Sequence, residues 1–124
     1  DKKNYPIEAL ILLDMIGDKD LNLAFEANSH KDMRNIFLEA SKEFFGIDVF
    51  GKVETMLDDH ISFKESGMLR VIDLIDFSYG PQNAYWHTKE DTVDKCSPRS
   101  LEKVGSLVLA ALPKVEAWLA GEVK

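Results

Sequence analysis

Two apolar runs of strand length constrain this chain most. Ile7 to Leu13 is almost continuously apolar and stops at Asp14, and "MLRVIDLIDF", Met68 to Phe77, repeats the pattern further on. A strand that is apolar on both sides suits a parallel or mixed sheet covered by helices on both faces. Both runs are therefore expected at the centre of such a sheet. Asp73, inside the second run, is expected either on an edge or paired with Arg70 or a lysine.

Between the runs, "LNLAF" (Leu21 to Phe25) reads as a short strand. Ser29 followed by Asp32 reads as a helix cap, and Met33, Ile36, Phe37, Ala40 and Phe44 recur at helical spacing, so a helix is expected over Ser29 to Phe45 with Gly46 closing it. A short segment around Val53 to Leu57 leads to Asp58 or Asp59, either of which can cap a brief helix ended by Gly67.

Beyond a loop from Ser78 to Cys96, Ser97 and Pro98 start a long helix. Its expected apolar face is Leu101, Val104, Val108, Leu112, Val115 and Leu119, with Pro113 kinking it or redirecting its last turns. Strand, helix, strand, helix in this order gives an α/β layered fold, in one domain spanning residues 1–124. In such sheets ligands gather beyond the carboxyl ends of strands, where Asp14 and Asp76 to Tyr79 fall.

Twenty-two acids against fifteen lysines and arginines leave a net charge of -7, which disfavours nucleic acid as a partner. The single cysteine, Cys96, excludes an internal disulfide and leaves the redox compartment open. The longest apolar run, "ALILL", is too short to span a bilayer, so no membrane partner is expected. The opening "DKKNYP", without a starting methionine or a signal-like segment, reads as the start of a mature or excised piece.

His87, His60, Asp14, Asp58 and Asp59 are the residues whose chemistry suits zinc, but no HExxH or paired CxxC occurs. Taken alone, His87 beside Trp86 fits a packed or surface residue better than a ligand. Asp14 is the stronger candidate, because it interrupts an apolar run at a strand end. Asp58 and Asp59 serve equally well as a helix cap. His30 and Asp32 would diverge by roughly 200° on a helix at about 100° per residue, so they read as a surface helix start.

Three segments in order, "LLDMIGD" (Leu12 to Asp18), "DDHISF" (Asp58 to Phe63) and "IDFSYGPQNAYWHTKEDTVDK" (Ile75 to Lys95), resemble the carboxyl-terminal half of the zinc aminopeptidase and glutaminyl-peptide cyclotransferase family. The resemblance implies a partial three-layer α-β-α fold with a mixed sheet flanked by helices, zinc as cofactor and peptides as substrates. It implies His87 as a zinc ligand. It gives Asp14 as a ligand of the second zinc in two-metal aminopeptidases, or as a substrate-site residue in single-zinc cyclotransferases. Asp58, in the cyclotransferase-like "DDH", corresponds to the acid that hydrogen-bonds the catalytic glutamate. Trp86 corresponds to an aromatic that borders the cyclase substrate pocket, and Tyr79 and Tyr85 share its loop as substrate-site residues.

The family's His-x-Asp and Glu-Glu pairs lie upstream and have no counterpart, and no Glu-Glu dipeptide occurs in the chain. The main expectation is therefore the carboxyl-terminal part of a zinc exopeptidase. Its alternatives are a glutaminyl cyclase and a non-catalytic module. The other ligands would come from a missing amino-terminal half, and the piece alone is expected to be inactive. A half-sheet with an open edge would self-associate, and the resemblance points to export.

Overall fold

The two apolar runs form neighbouring parallel strands in the computed structural model, which describes residues 6–122. Residues 1–5, where the reading of an excised start falls, lie outside the described residues. Strand β1 (Leu10–Asp14) pairs with β4 (Val71–Ile75), with Leu10 opposite Val71 and Asp14 opposite Ile75. A second parallel pair joins β2 (Leu23–Glu26) to β3 (Phe50–Glu54). The one isolated antiparallel bridge among the described residues links Asp18 and Cys96. Helix α1 (Lys31–Phe45), the short α2 (Asp59–Glu65) and the long α3 (Pro98–Glu122) complete the order.

Alternation along β4 sorts its five buried residues onto two faces. Ile72 and Leu74 join Leu23, Met33, Phe37 and Ala40 and the α3 residues Val104, Leu107, Ala111 and Val115 in the apolar core. Helices α1 and α3 pack together on that face. Helix α2 lies on the other, where Asp73 meets its His60. The result is the expected three-layer α/β architecture, helices on both sides of parallel strands.

Several local expectations change. The cap of α1 is His30, whose Nδ1 accepts from the Asp32 amide at 3.1 Å. Ser29 turns inward instead, because its hydroxyl donates to Glu26 Oε1 and accepts from the Asp73 amide, both at 2.9 Å. The strand expected at Leu21 to Phe25 sits slightly later, and the segment expected at Val53 to Leu57 forms β3 earlier. The buried stripe of α3 runs through Val104, Leu107, Ala111 and Val115, while Leu101 is 50 % exposed. The 3.6-residue period fits both stripes, and contact with α1 selects this one. Helix α3 continues through Pro113, whose missing N–H would have bonded the carbonyl of the exposed Leu109.

Strand β1 is not covered on both faces: its residues are half-buried and Leu13 is 44 % exposed, because among the described residues β1 pairs only with β4. Helix α3 is, by length and composition alone, long and apolar enough to cross a membrane, although it contains no single unbroken apolar run of that length. Its stripe is part of the core described above.

Candidate functional site

The carboxyl ends of β1 and β4 carry the acids of the candidate site. After Asp14 the backbone turns sharply through Met15, a left-handed residue with φ 51°. Asp58 caps α2 by accepting from the Asp59 amide at 2.8 Å, as its cap reading expected. Asp14, Asp58 and Asp73 come into mutual hydrogen-bonding and charge contact.

Like charges so close cannot all ionise. Burial and the Asp58 carboxylate push Asp73 up to about 8. Burial and the same neighbour raise Asp14. Burial also works against ionising Asp58, but the Asp59 amide and hydrogen bonds from Asp73 and Asp14 outweigh it and hold Asp58 below the usual carboxylate range. Asp58 is thus the member of the three that ionises most readily, and Asp73 the one that keeps its proton. Asp73 does not lie on an edge: it is 1 % exposed and its Oδ2 faces His60 Nδ1 at 3.4 Å.

The loop after β4 supplies the aromatic wall. Trp86 and His87 stack, rings 4.0 Å apart and 19° from parallel, and Trp86 also meets Phe77 edge-on at 5.1 Å. His87 has φ 53°. Tyr79 is buried, donates its hydroxyl to Asp91 Oδ1 at 2.9 Å and meets Tyr85 edge-on at 5.2 Å. Its hydroxyl is held well above the usual tyrosine range by burial and by Asp91 and Cys96. Gly80 is required here: its φ is 77°, and a Cβ would lie 2.6 Å from the Tyr85 ring. The far end of the loop is tied to the turn after β1 by the Asp18 to Cys96 bridge and by the Ser97 amide donating to the Gly17 carbonyl at 2.8 Å.

These pieces enclose a cavity of about 340 Å³ in which Asp14, Asp18, Tyr79, Trp86 and His87 all face one space. The structure therefore brings together Asp14, His87, Trp86 and Tyr79, with Asp58 adjoining through Asp14. Tyr85 packs behind Tyr79 and lines a neighbouring polar cleft. Asp59 stays exposed at the start of α2. His60, a zinc candidate by residue type, is fully buried away from the cavity, with Nε2 2.9 Å from Glu26 Oε1.

Sequence reasoning placed Asp76 at a strand end without giving it a role, and it missed Asp18. They hydrogen-bond each other, and burial, countered in part by amide donors from Asn22 and Ser78, leaves Asp76 raised to about 6. An acid directly after each apolar run was the available signal for Asp76. Nothing in the local sequence marked Asp18.

Zinc can be tested against these donors. A catalytic zinc takes three protein ligands and an open position. Among the described residues no group of three or more histidine, cysteine or acidic side chains is arranged to hold a metal. His87 and Asp14 share the cavity but make at most two donors, so these residues do not fit a complete zinc site.

The sequence profile of peptidase family M28 matches residues 1–112. A glutaminyl cyclase from an Acidobacteriales bacterium is 39 % identical with a TM-score of 0.82, over 88 % of this chain and 39 % of that one. A leucine aminopeptidase precursor from Bacteroides thetaiotaomicron is 27 % identical with a TM-score of 0.76, over 89 % of this chain and 39 % of that one. A glutaminyl cyclase from the same organism, bound to N-acetylhistamine, is 26 % identical with a TM-score of 0.76, over 89 % and 40 %. The chain thus spans about two fifths of the length of these structures. No curated protein sequence matches it.

Proposed function

The chain belongs to peptidase family M28, and we propose that it is the carboxyl-terminal part of a glutaminyl-peptide cyclotransferase. This reverses the order of the sequence-based expectation, which put the exopeptidase first. The observation that carries the reading is Asp58, held below the usual carboxylate range by the Asp59 amide and by Asp73 and Asp14, the last of which lines the cavity. Such an acid is a ready partner for a further carboxyl group, as the cyclotransferase-like "DDH" implies. The 39 % identity to a glutaminyl cyclase supports the same choice.

In this reading an amino-terminal glutamine enters the cavity against Trp86. Its α-amine nitrogen attacks its own γ-carbonyl carbon, a C–N bond closes the five-membered ring, and ammonia leaves with the proton lost by the amine. Asp14 lines the path of that amine and accepts its hydrogen bond. Asp58 orients the general base, which belongs to the part of the parent protein outside this chain, and Tyr79 and Tyr85 fix the loop that carries Trp86. His87 would contribute one donor to a zinc ion whose other ligands come from that part. No step can be derived through zinc from the residues present, and the chain alone is inactive in this reading. The open edge of β1 is read as the seat of the missing half, and a second copy would take its place in the isolated chain. Peptides are the substrates, and export is proposed from resemblance.

An exopeptidase remains the second reading because of the leucine aminopeptidase precursor. Assaying the full-length parent on a glutaminyl peptide and on an aminoacyl anilide separates them. Release of ammonia with a pyroglutamyl product supports the cyclase; hydrolysis of the anilide alone overturns it.

A further inference from the structure

Asp91 lines the cavity together with Tyr79, Trp86 and His87, and no step of the proposed reaction uses it. It stands just beyond a strained stretch of the loop. Gln82, Asn83 and His87 have φ of 55°, 59° and 53°, a left-handed backbone that residues other than glycine keep only where their surroundings over-determine it. The loop therefore has to be held from several sides.

Most of the bonds that hold it are local. The Tyr79 amide donates to Asn83 Oδ1 at 2.9 Å, the Tyr85 amide to the Tyr79 carbonyl at 3.1 Å and the Trp86 amide to the Asn83 carbonyl at 3.2 Å. These fix the approach to Trp86. Past His87, the Thr88 hydroxyl donates to the Tyr85 carbonyl at 2.9 Å and the Asp91 amide to the Thr88 carbonyl at 3.1 Å. One bond is different in kind. The Tyr79 hydroxyl donates to Asp91 Oδ1 at 2.9 Å across 12 positions, and among the described residues it is the one side-chain hydrogen bond joining the stretch beyond His87 to the stretch before Ala84.

The two ends of that bond are unequal. Tyr79 is 7 % exposed, with its ring against Tyr85, so it is the fixed end. Burial and Asp91 keep the proton on its hydroxyl, which leaves the carboxylate to accept it. Asp91 is exposed, and among the described residues its side chain makes no other hydrogen bond or ion pair. It is the end that can let go.

We infer that Asp91 is a positioning residue: by accepting the Tyr79 hydroxyl it closes the loop across Ala84 to Glu90 and sets the stack of Trp86 on His87 at the cavity. Without that closure His87 is free to return to right-handed backbone, which swings its ring away from an indole now 4.0 Å from it. An exposed acid whose bond served only local stability would leave the stack as it is. What the stack does for a substrate rests on the proposed function; the closure of the loop does not.

The test is NMR of the chain as wild type, Asp91→Ala, Asp91→Asn and Tyr79→Phe. Through-space contacts between the Trp86 and His87 rings should be present in the wild type and lost in Asp91→Ala and in Tyr79→Phe. Asp91→Asn keeps an oxygen for the same bond and should retain them. Combining Asp91→Ala with Tyr79→Phe should do no more than either alone, because both remove one bond. Contacts absent from the wild type, surviving in Tyr79→Phe or Asp91→Ala, or lost equally in Asp91→Asn each overturn the inference. If Asp91→Ala does not fold, Tyr79→Phe, which keeps the buried ring, decides alone. In the full-length parent the two loss variants should lower kcat/KM for a glutaminyl peptide about tenfold, with Asp91→Asn near wild type. An unchanged kcat/KM in an active parent overturns the positioning role. A wild-type parent that forms no pyroglutamate, beside a chain whose contacts behave as expected, sinks the functional reading and leaves the loop closure standing.

Discussion

Strand β4 separates two worlds only a side chain's length apart. Ile72 and Leu74 face α1 and α3 in a wholly apolar layer, while Asp73 faces α2 among Asp58, His60 and Glu26. Asp73, His60 and Glu26 are as deeply buried as the apolar residues, yet the two layers do opposite things. The apolar layer supplies stability that does not depend on proton concentration. The polar layer holds protons that the unfolded chain would release, and so spends stability to keep an acid poised. A two-residue period lets one strand carry both.

The comparison breaks most visibly on the apolar side. Phe37→Ala removes a fully buried ring and should cost about 3–5 kcal/mol. Urea unfolding should show nearly the same loss at roughly pH 5 and pH 8, because no titratable group is involved. A strongly pH-dependent loss would mean the two layers are not independent.

On the polar side the sign reverses. The folded state binds the Asp73 proton more tightly than the unfolded state, so this group's stability contribution is fully present below the ordinary carboxylate range. It is lost as pH rises through about 8. Asp73→Asn keeps a donor to Asp58 and removes the titration. It should flatten the decline above about pH 4 and gain about 2 kcal/mol or more at pH 8, taking 1.4 kcal/mol per pH unit and discounting for relaxation. Denaturant midpoints measured across this range check it, and an unchanged slope would return Asp73 to the ionised state.

The loop should respond more mildly. Gly80→Ala places a methyl group against Tyr85 and forces a left-handed alanine, a cost of about 1–3 kcal/mol. Thermal unfolding measures that cost, and loss of the Tyr79 to Tyr85 ring contact by NMR locates it. Trp86→Ala should change stability by less than about 0.5 kcal/mol, since the ring is 42 % exposed. In the full-length parent it should raise KM for a glutaminyl peptide roughly tenfold, about 1.4 kcal/mol of binding. A large stability loss with unchanged KM would make Trp86 a packing residue.

How much of this was legible depends on range. The strands, the helices and the acid at the end of β1 follow from period and breaker residues, which act within a few positions. The cap of α1 was misplaced because Ser29 bonds Asp73, 44 positions away. Choosing between the two stripes of α3 needed α1, and the nature of Asp73 needed His60 and Asp58. A buried acid looks locally like an edge acid; only its partners tell them apart. Asp14, His87 and Trp86 were reached through motif resemblance, and the structure adds that they share one cavity.

The stack of Trp86 on His87 also gives the site an optical signature. The chain has two tryptophans, and Trp118 lies elsewhere, against His30 at 5.2 Å and under the Arg70 guanidinium at 5.8 Å. Anything that draws the His87 ring out of its stack changes the surroundings of one indole and leaves the other as an internal reference. The emission spectrum of the unlabelled protein therefore reports on occupancy of the cavity.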